Sequence, residues 1–391
     1  MGIFSRLKKN NVERAFKKAI GFFNQGNYEK SKEIFQQILD MGYYDVGCND
    51  YLFEIYFNLG DLDTALTYLD NSLELVPDNI DNIINKGTIL YKLKQYEESL
   101  EYFNKALSMD DTNDYARVGK LSVLIELEKY DEAKNFYKLL VVNTDDDYIL
   151  NIIASLLYSM NILDDALKYS NQSLEIDENN GNYWNTKGLI LEGLYDYDNA
   201  IKCFNKSIDL TSKSKNVRAL NNKGCVYIHL LQYEEALNCF NEALDIDADD
   251  ADCWVNKSIV YHKLKDYDNL ELCIDKALEI NSNDYIIWDK KGIFLDEVNR
   301  YEEALSCFDK ALKINPNAIN SLINKANTLY NLKEFNRALN VINEAFNGDS
   351  NYRDVALVKV KILKKLERYE EAEILENKSK NMPVIEDRPL I

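Results

Sequence analysis

Proline is scarce in this chain, with four among 391 residues, and glycine is not abundant, with fourteen. Both disfavour helix interiors, so their scarcity points to long helices rather than a β-rich fold. Histidine is rarer, with two residues, and no HExxH, GxxxxGK[ST] or GxSxG run occurs. The usual signatures of zinc proteases, phosphate cradles and serine hydrolases are therefore missing. No apolar run approaches bilayer-spanning length. Arg6, Lys8 and Lys9 interrupt any apolar stretch at the start, so no secretory leader is expected. The seven cysteines form no CxxC pair, which predicts reduced thiols and a cytoplasmic setting. Positive charge is also in deficit: the formal net charge is −20. A groove that tracks phosphates needs clustered Lys and Arg, so nucleic acid is not an expected partner.

What is present is repetition. YEEALNCFNEALDID at 233–247 returns 68 residues later as YEEALSCFDKALKINP at 301–316. The offset is twice 34, and a 34-residue period runs through almost the whole chain in windows starting at 12, 46, 80, 114, 147, 181, 217, 251, 285, 319 and 353. Each window holds two apolar stripes at helical spacing. In the ninth, Trp288, Gly292 and Leu295 mark a first helix, and Ala304, Phe308, Ala311 and Leu312 mark a second. Asn299-Arg300 reads as the turn between them, and Tyr301 as a wedge just after it. Gly292, Ala304 and Ala311 are small where the helices must approach. Pro316 and Pro77 end second helices.

The series Trp184-Gly188-Leu191-Tyr197-Ala200-Phe204, Gly224-Tyr227-Tyr233-Ala236-Phe240-Ala243 and Trp288-Gly292-Tyr301-Ala304-Phe308-Ala311-Pro316 resembles the tetratricopeptide repeat. The match is looser over 114–180, where Leu121 and Ala154 replace the glycine. The resemblance implies an all-α, right-handed α-solenoid superhelix of antiparallel helix pairs, with the first helix of each pair lining a concave groove. Stacking answers why the repeat recurs: one helix pair cannot bury its own apolar face, and neighbours bury one another's. Lysine departs from the family pattern at Lys18, Lys86, Lys120, Lys187, Lys223, Lys257, Lys291, Lys325 and Lys359. Their stems can cover apolar surface while the ammonium reaches an acid, or they can line the groove edge.

Three regions follow: a basic amphipathic leader at 1–11, a repeat array at 12–380 with a hinge near 211–217, and an extended tail at 381–391. The hinge expectation rests on two extra residues at 215–216, within the basic patch Lys213, Lys215 and Arg218. The leader carries Ile3, Phe4 and Leu7 beside its basic residues. It reads either as a leader turn over the first repeat or as a peripheral membrane contact.

No cofactor or metal is expected. Asp245, Asp247 and Asp249 imitate a calcium loop, but Asp250 and Asn256 stand where glycine and glutamate are required, so the run reads as an inter-repeat turn. Cys203, Cys239, Cys273 and Cys307 recur at one place in four consecutive windows and read as small apolar core residues. Cys225 and His229 share a helical face, with His262 on the next first helix, but no fourth ligand is evident. The histidines read as groove-surface residues.

The second, sixth, ninth and thirteenth residues of a window share one face of the first helix. In the tenth window all four are asparagine: Asn320, Asn324, Asn327 and Asn331. The sixth residue is also Asn at Asn85, Asn222 and Asn256. An amide side chain both donates and accepts, so such a series can pair with the main chain of an extended peptide. The family resemblance implies that use. Tyr91 and Tyr330 lie beside this face, and Asp252, Asp289, Asp296 and Glu297 make it acidic over the eighth and ninth windows, suiting a ligand of basic character. The expected function is a non-enzymatic scaffold that binds other proteins or peptides in its groove. The alternative is a peripheral membrane assembly factor that uses residues 1–11 for lipid contact.

Overall fold

A computed structural model describes residues 3–42, 46–139, 144–212, 216–347, 352–380 and 382; in the first helix side chains are described from Val12 onward. Every regular element among the described residues is an α-helix. The chain divides into two compact units, 1–196 and 197–391. The first holds α1 (Ile3–Asn24), α2 (Tyr28–Asp40), α3 (Val46–Asn58), α4 (Leu62–Leu75), α5 (Ile80–Lys92), α6 (Tyr96–Met109), α7 (Asp114–Glu126), α8 (Tyr130–Leu139), α9 (Asp147–Ser159), α10 (Leu163–Ile176) and α11 (Gly181–Gly193). The second holds α12 (Tyr197–Leu210), α13 (Val217–His229), α14 (Tyr233–Ile246), α15 (Ala251–Leu264), α16 (Tyr267–Ile280), α17 (Tyr285–Glu297), α18 (Tyr301–Ile314), α19 (Ile319–Asn331), α20 (Phe335–Asn347), α21 (Arg353–Lys365) and α22 (Tyr369–Ser379).

From 46 onward, every window start read from the sequence is the first residue of an odd-numbered helix. The reason is local. The residue just before the window is Asn or Asp in many repeats, and its side chain accepts from the first-turn amides that have no helical partner. Asn113 caps Ala116 at 3.0 Å, Asp146 caps Ile149 at 3.1 Å and Asp250 caps Cys253 at 2.7 Å. The acidic run at 245–250 is such a turn, with Asp247 accepting from the Asp249 amide. Trp184, Trp254 and Trp288 fasten the same junction. Each indole N–H donates to a carbonyl six residues earlier, on Glu178, Ala248 and Ser282, at 2.8–2.9 Å.

The turn inside each pair is equally regular. The fifteenth residue of every window has positive φ: Gly26 and Gly60, then Lys94, Glu128, Asn161, Tyr195, Leu231, Lys265, Asn299, Lys333 and Glu367. In the ninth pair the Asn299 amide donates to Asp296 and the Arg300 amide to Leu295, closing α17 with a two-bond C-terminal motif. None of the non-glycine residues is β-branched, the kind for which this conformation costs most.

Small residues set the spacing within a pair. A Cβ added to Gly292 would lie 2.5 Å from Phe308 Cε1, and one added to Gly224 would lie 2.6 Å from Phe240 Cε1. Phe308, Phe240, Ala304 and Ala311 are fully buried. Cys203, Cys239, Cys273 and Cys307 are buried on α12, α14, α16 and α18, as expected of core residues. Burial pushes the Cys239 and Cys273 thiols up to about 11, far from the reactive thiolate range.

The fold is therefore an α-solenoid of stacked helix pairs. No helix among the described residues is long and apolar enough to cross a membrane. Lys213 and Lys215 of the hinge expectation lie outside the described residues. Beside them Asn216 is buried and donates to the Ile208 carbonyl at 3.2 Å. The division between compact units falls at Asp196/Tyr197. The leader is helical from Ile3 and continuous with α1; its side-chain contacts and the tail from 383 lie outside the described residues.

Candidate functional site

The first helices of successive repeats are joined by polar bonds at a spacing of 35 residues, one more than the period. In the second unit, Asn256 of α15 donates to Asn221 Oδ1 of α13 at 3.1 Å. Asn324 of α19 donates to both carboxylate oxygens of Asp289 on α17, at 3.2 and 3.3 Å. One heptad further along, Asn331 reaches the Asp296 carboxylate at 3.3 Å. His262 Nε2 and Glu297 Oε2 are 2.5 Å apart between α15 and α17. The first unit has the same device: the Tyr91 hydroxyl of α5 donates to Glu126 of α7 at 3.1 Å. The bonds thus connect the fifth residue of one window with the sixth of the next, and the twelfth with the thirteenth.

The sequence-selected residues fall into these two settings. Asn320, Asn324, Asn327 and Asn331 share one face of α19, with Asn320 and Asn331 exposed and Asn324 and Asn327 half-buried. Asn324 and Asn331 face carboxylates of the preceding repeat. Asn222 and Asn256 are buried, at 9% and 7% exposure, so they present little surface to a ligand. Tyr330 packs edge-on against Phe335, with Lys361 Nζ 4.1 Å from its ring centre. His229 stacks on Tyr197, with ring centres 5.5 Å apart. Asn85, half-buried, and Tyr91 belong to the other unit. No His, Cys, Asp or Glu group among the described residues could hold a metal ion.

Burial tunes the charges on this face. It pushes the Asp289 carboxyl up, against the hydrogen bond from Asn324 and the charge of Lys290, and it pulls the Lys290 ammonium down. The Tyr91 hydroxyl is pushed up to about 12 by burial and by Glu126.

The lysine series has a different role. Lys86, Lys291 and Lys325 each pair with an acid sixteen residues earlier, on the preceding second helix: Asp70 at 2.6 Å, Asp275 at 2.5 Å and Asp309 at 2.6 Å. Lys120 and Lys257 lie over the Phe136 and Trp254 rings, at 4.6 and 5.0 Å. Asp289 and Asp296 are legible in the sequence as acidic residues but not as partners of the amide face, and Glu297 not as the partner of His262. The signal was a spacing of 35 rather than 34.

Three tetratricopeptide-repeat family models match residues 84–113, 179–249 and 251–284. The family described as anaphase-promoting complex, cyclosome, subunit 3, matches 297–376. No curated protein matches the chain. Among solved structures, the crystal structure of yeast Tom70 is similar at 17% identity and a TM-score of 0.52, over 96% of this chain and 92% of that one. That likeness concerns the fold. Taken with the helix pair found at each period, these matches show a chain built of tandem tetratricopeptide-type repeats.

Proposed function

We propose that this protein is a non-enzymatic interaction scaffold whose second unit binds an extended peptide segment along the first helices, with the α19 amide face as main-chain reader. The observation that carries the reading is the one-sided amide stripe on α19, set across from Asp289 and Asp296. A primary amide has two N–H donors and an oxygen that accepts twice. The bond to Asp289 uses one donor of Asn324, so the same side chain can be oriented by the protein and still meet a peptide group. The carboxylates fix the amide orientation, nitrogen toward α17 and oxygen away. That arrangement favours peptide N–H groups as ligands of the stripe. Asp252 on α15 and Glu297 on α17 favour a segment with basic side chains.

The test separates binding from stability. Asn320 and Asn327 have no inter-repeat bond to Asp289 or Asp296, so the double variant Asn320→Ala/Asn327→Ala is expected to fold as the parent does and to lose peptide binding. Selection from a displayed random peptide library, followed by titration of the selected peptides, reads the outcome. Peptides that bind parent and variant equally well would refute the α19 site. A selected set rich in Asp and Glu would refute the preference for basic character.

A further inference from the structure

The amide face of α19 has a second neighbour. Asp289 and Asp296 of α17 meet it on one side. On the other side Leu322, Ala326 and Leu329 of α19 share a core cluster with Val355, Ala356 and Val360 of α21. Lys361 and Lys365 of α21 hold the ninth and thirteenth positions of the last window, the places of Asn327 and Asn331 in the tenth. Four residues apart, they share one helical face. Both are exposed, and Lys361 Nζ lies 4.1 Å from the centre of the Tyr330 ring on α19. Neither forms an ion pair among the described residues, whereas Lys364 of the same helix is held by Glu376 of α22 at 2.8 Å. The only acid in α21, Asp354, stands seven residues before Lys361, about 10 Å along the helix axis.

Across three neighbouring first helices this face therefore changes from carboxylate on α17 to amide on α19 to ammonium on α21. Like charges four apart destabilise a helix, so the lysine pair opposes folding and an anion beside it relieves the repulsion. We propose that the segment held by the α19 amides is charge-polarised, with basic side chains toward α17 and acidic side chains toward α21, where Lys361 and Lys365 receive them. This rests on the peptide-binding reading above and adds the order of charges to it. Packed helices lie about 8–10 Å apart, so α17 and α21 are separated by about 16–20 Å. An extended chain rises about 3.3 Å per residue, which places about five or six residues between the two charged ends. A uniformly acidic partner laid over the same face would be repelled by Asp296 and Glu297.

The probe is a set of C-terminally amidated peptides in which a Lys-Lys pair and a Glu-Glu pair are separated by spacers of serine and threonine of increasing length. Controls carry Gln-Gln in place of Glu-Glu. Fluorescence anisotropy reads their binding to the full-length protein. The Glu-Glu peptides are expected to bind roughly three- to ten-fold tighter than their controls, with the gain greatest at a separation of about five residues. Lys361→Gln/Lys365→Gln should abolish the gain and leave binding of the Gln-Gln controls unchanged. Lys361→Arg/Lys365→Arg and Lys364→Gln should both retain it, and circular dichroism establishes that the variants are folded. An equal gain in the parent and the double glutamine variant would overturn the proposal. So would a gain independent of spacer length, or one given by a free C-terminal carboxylate and not by Glu-Glu. Peptides lost by Asn320→Ala/Asn327→Ala but indifferent to Glu-Glu would overturn the order of charges and leave the α19 site standing. Binding untouched by either double variant would overturn both.

Discussion

Two glycines show how differently the same substitution acts along this chain. Gly292 lies against Phe308, and Gly21 has no atom within 4 Å of an added Cβ. Alanine gains about 1 kcal/mol over glycine in a helix interior. Gly21→Ala should therefore stabilise the protein by about 1 kcal/mol. At Gly292 the overpacking cost of about 1–3 kcal/mol exceeds that gain, so Gly292→Ala should destabilise. Urea denaturation of both variants beside the parent reads the two signs, and a common sign would refute the account of helix spacing. Glu192 offers a second residue-scale test. Burial pushes its carboxyl up to about 7, above the value of an unfolded chain. The folded state then holds the proton more tightly, so the stability linked to this group is complete below about pH 4.5 and is lost as pH rises through about 7. Between pH 5 and pH 8 the parent should lose more stability than Glu192→Gln, by an amount on the order of 1–3 kcal/mol. Parallel loss in both proteins would show that Glu192 is not the source.

At the scale of the helix pair, the left-handed turn residue is the shared element. Leu231 adopts φ of 58° while its side chain is 70% exposed. The conformation costs a non-glycine residue about 1–2 kcal/mol, part of which glycine gives back as unfolded-state entropy. Leu231→Gly is therefore expected to stabilise by about 0.5–1 kcal/mol in urea denaturation, and destabilisation would contradict the turn geometry. This scale also shows what the amino-acid order reveals and what it hides. Window starts, turns and small packing residues were legible because each recurs at one place in the period. The ties between Asn324 and Asp289 and between Asn331 and Asp296 were hidden. Comparing like positions searches at 34, whereas neighbouring first helices meet one residue out of step. Asn256 shows the consequence: it looked like a groove residue, yet it is buried against Asn221. Lys291 shows the converse, since an acid sixteen residues earlier, Asp275, is a pattern that reading by period does reveal.

For the molecule as a whole, the balance of charge is a standing load. A net −20 on an array of stacked pairs gives long-range repulsion that added salt screens. The short ion pairs, such as Lys86 with Asp70, are partly exposed and contribute little by comparison. The thermal midpoint should therefore rise between about 20 and about 200 mM sodium chloride. A fall would mean that local pairs outweigh the global repulsion. Because each repeat touches mainly its neighbours, stability is close to a sum of repeat and junction terms.

The indole bonds at the repeat junctions have an optical consequence. The chain contains three tryptophans, and each is tied to the turn that precedes its helix. Trp184 lies in the unit 1–196, and Trp254 and Trp288 lie in the unit 197–391. The protein thus carries its own fluorophores at fixed stations. A variant keeping only Trp184 would report the melting of one unit, and a variant keeping only Trp288 that of the other. Comparing the two emission traces would tell whether a ligand held by α19 is felt as far as the sixth repeat.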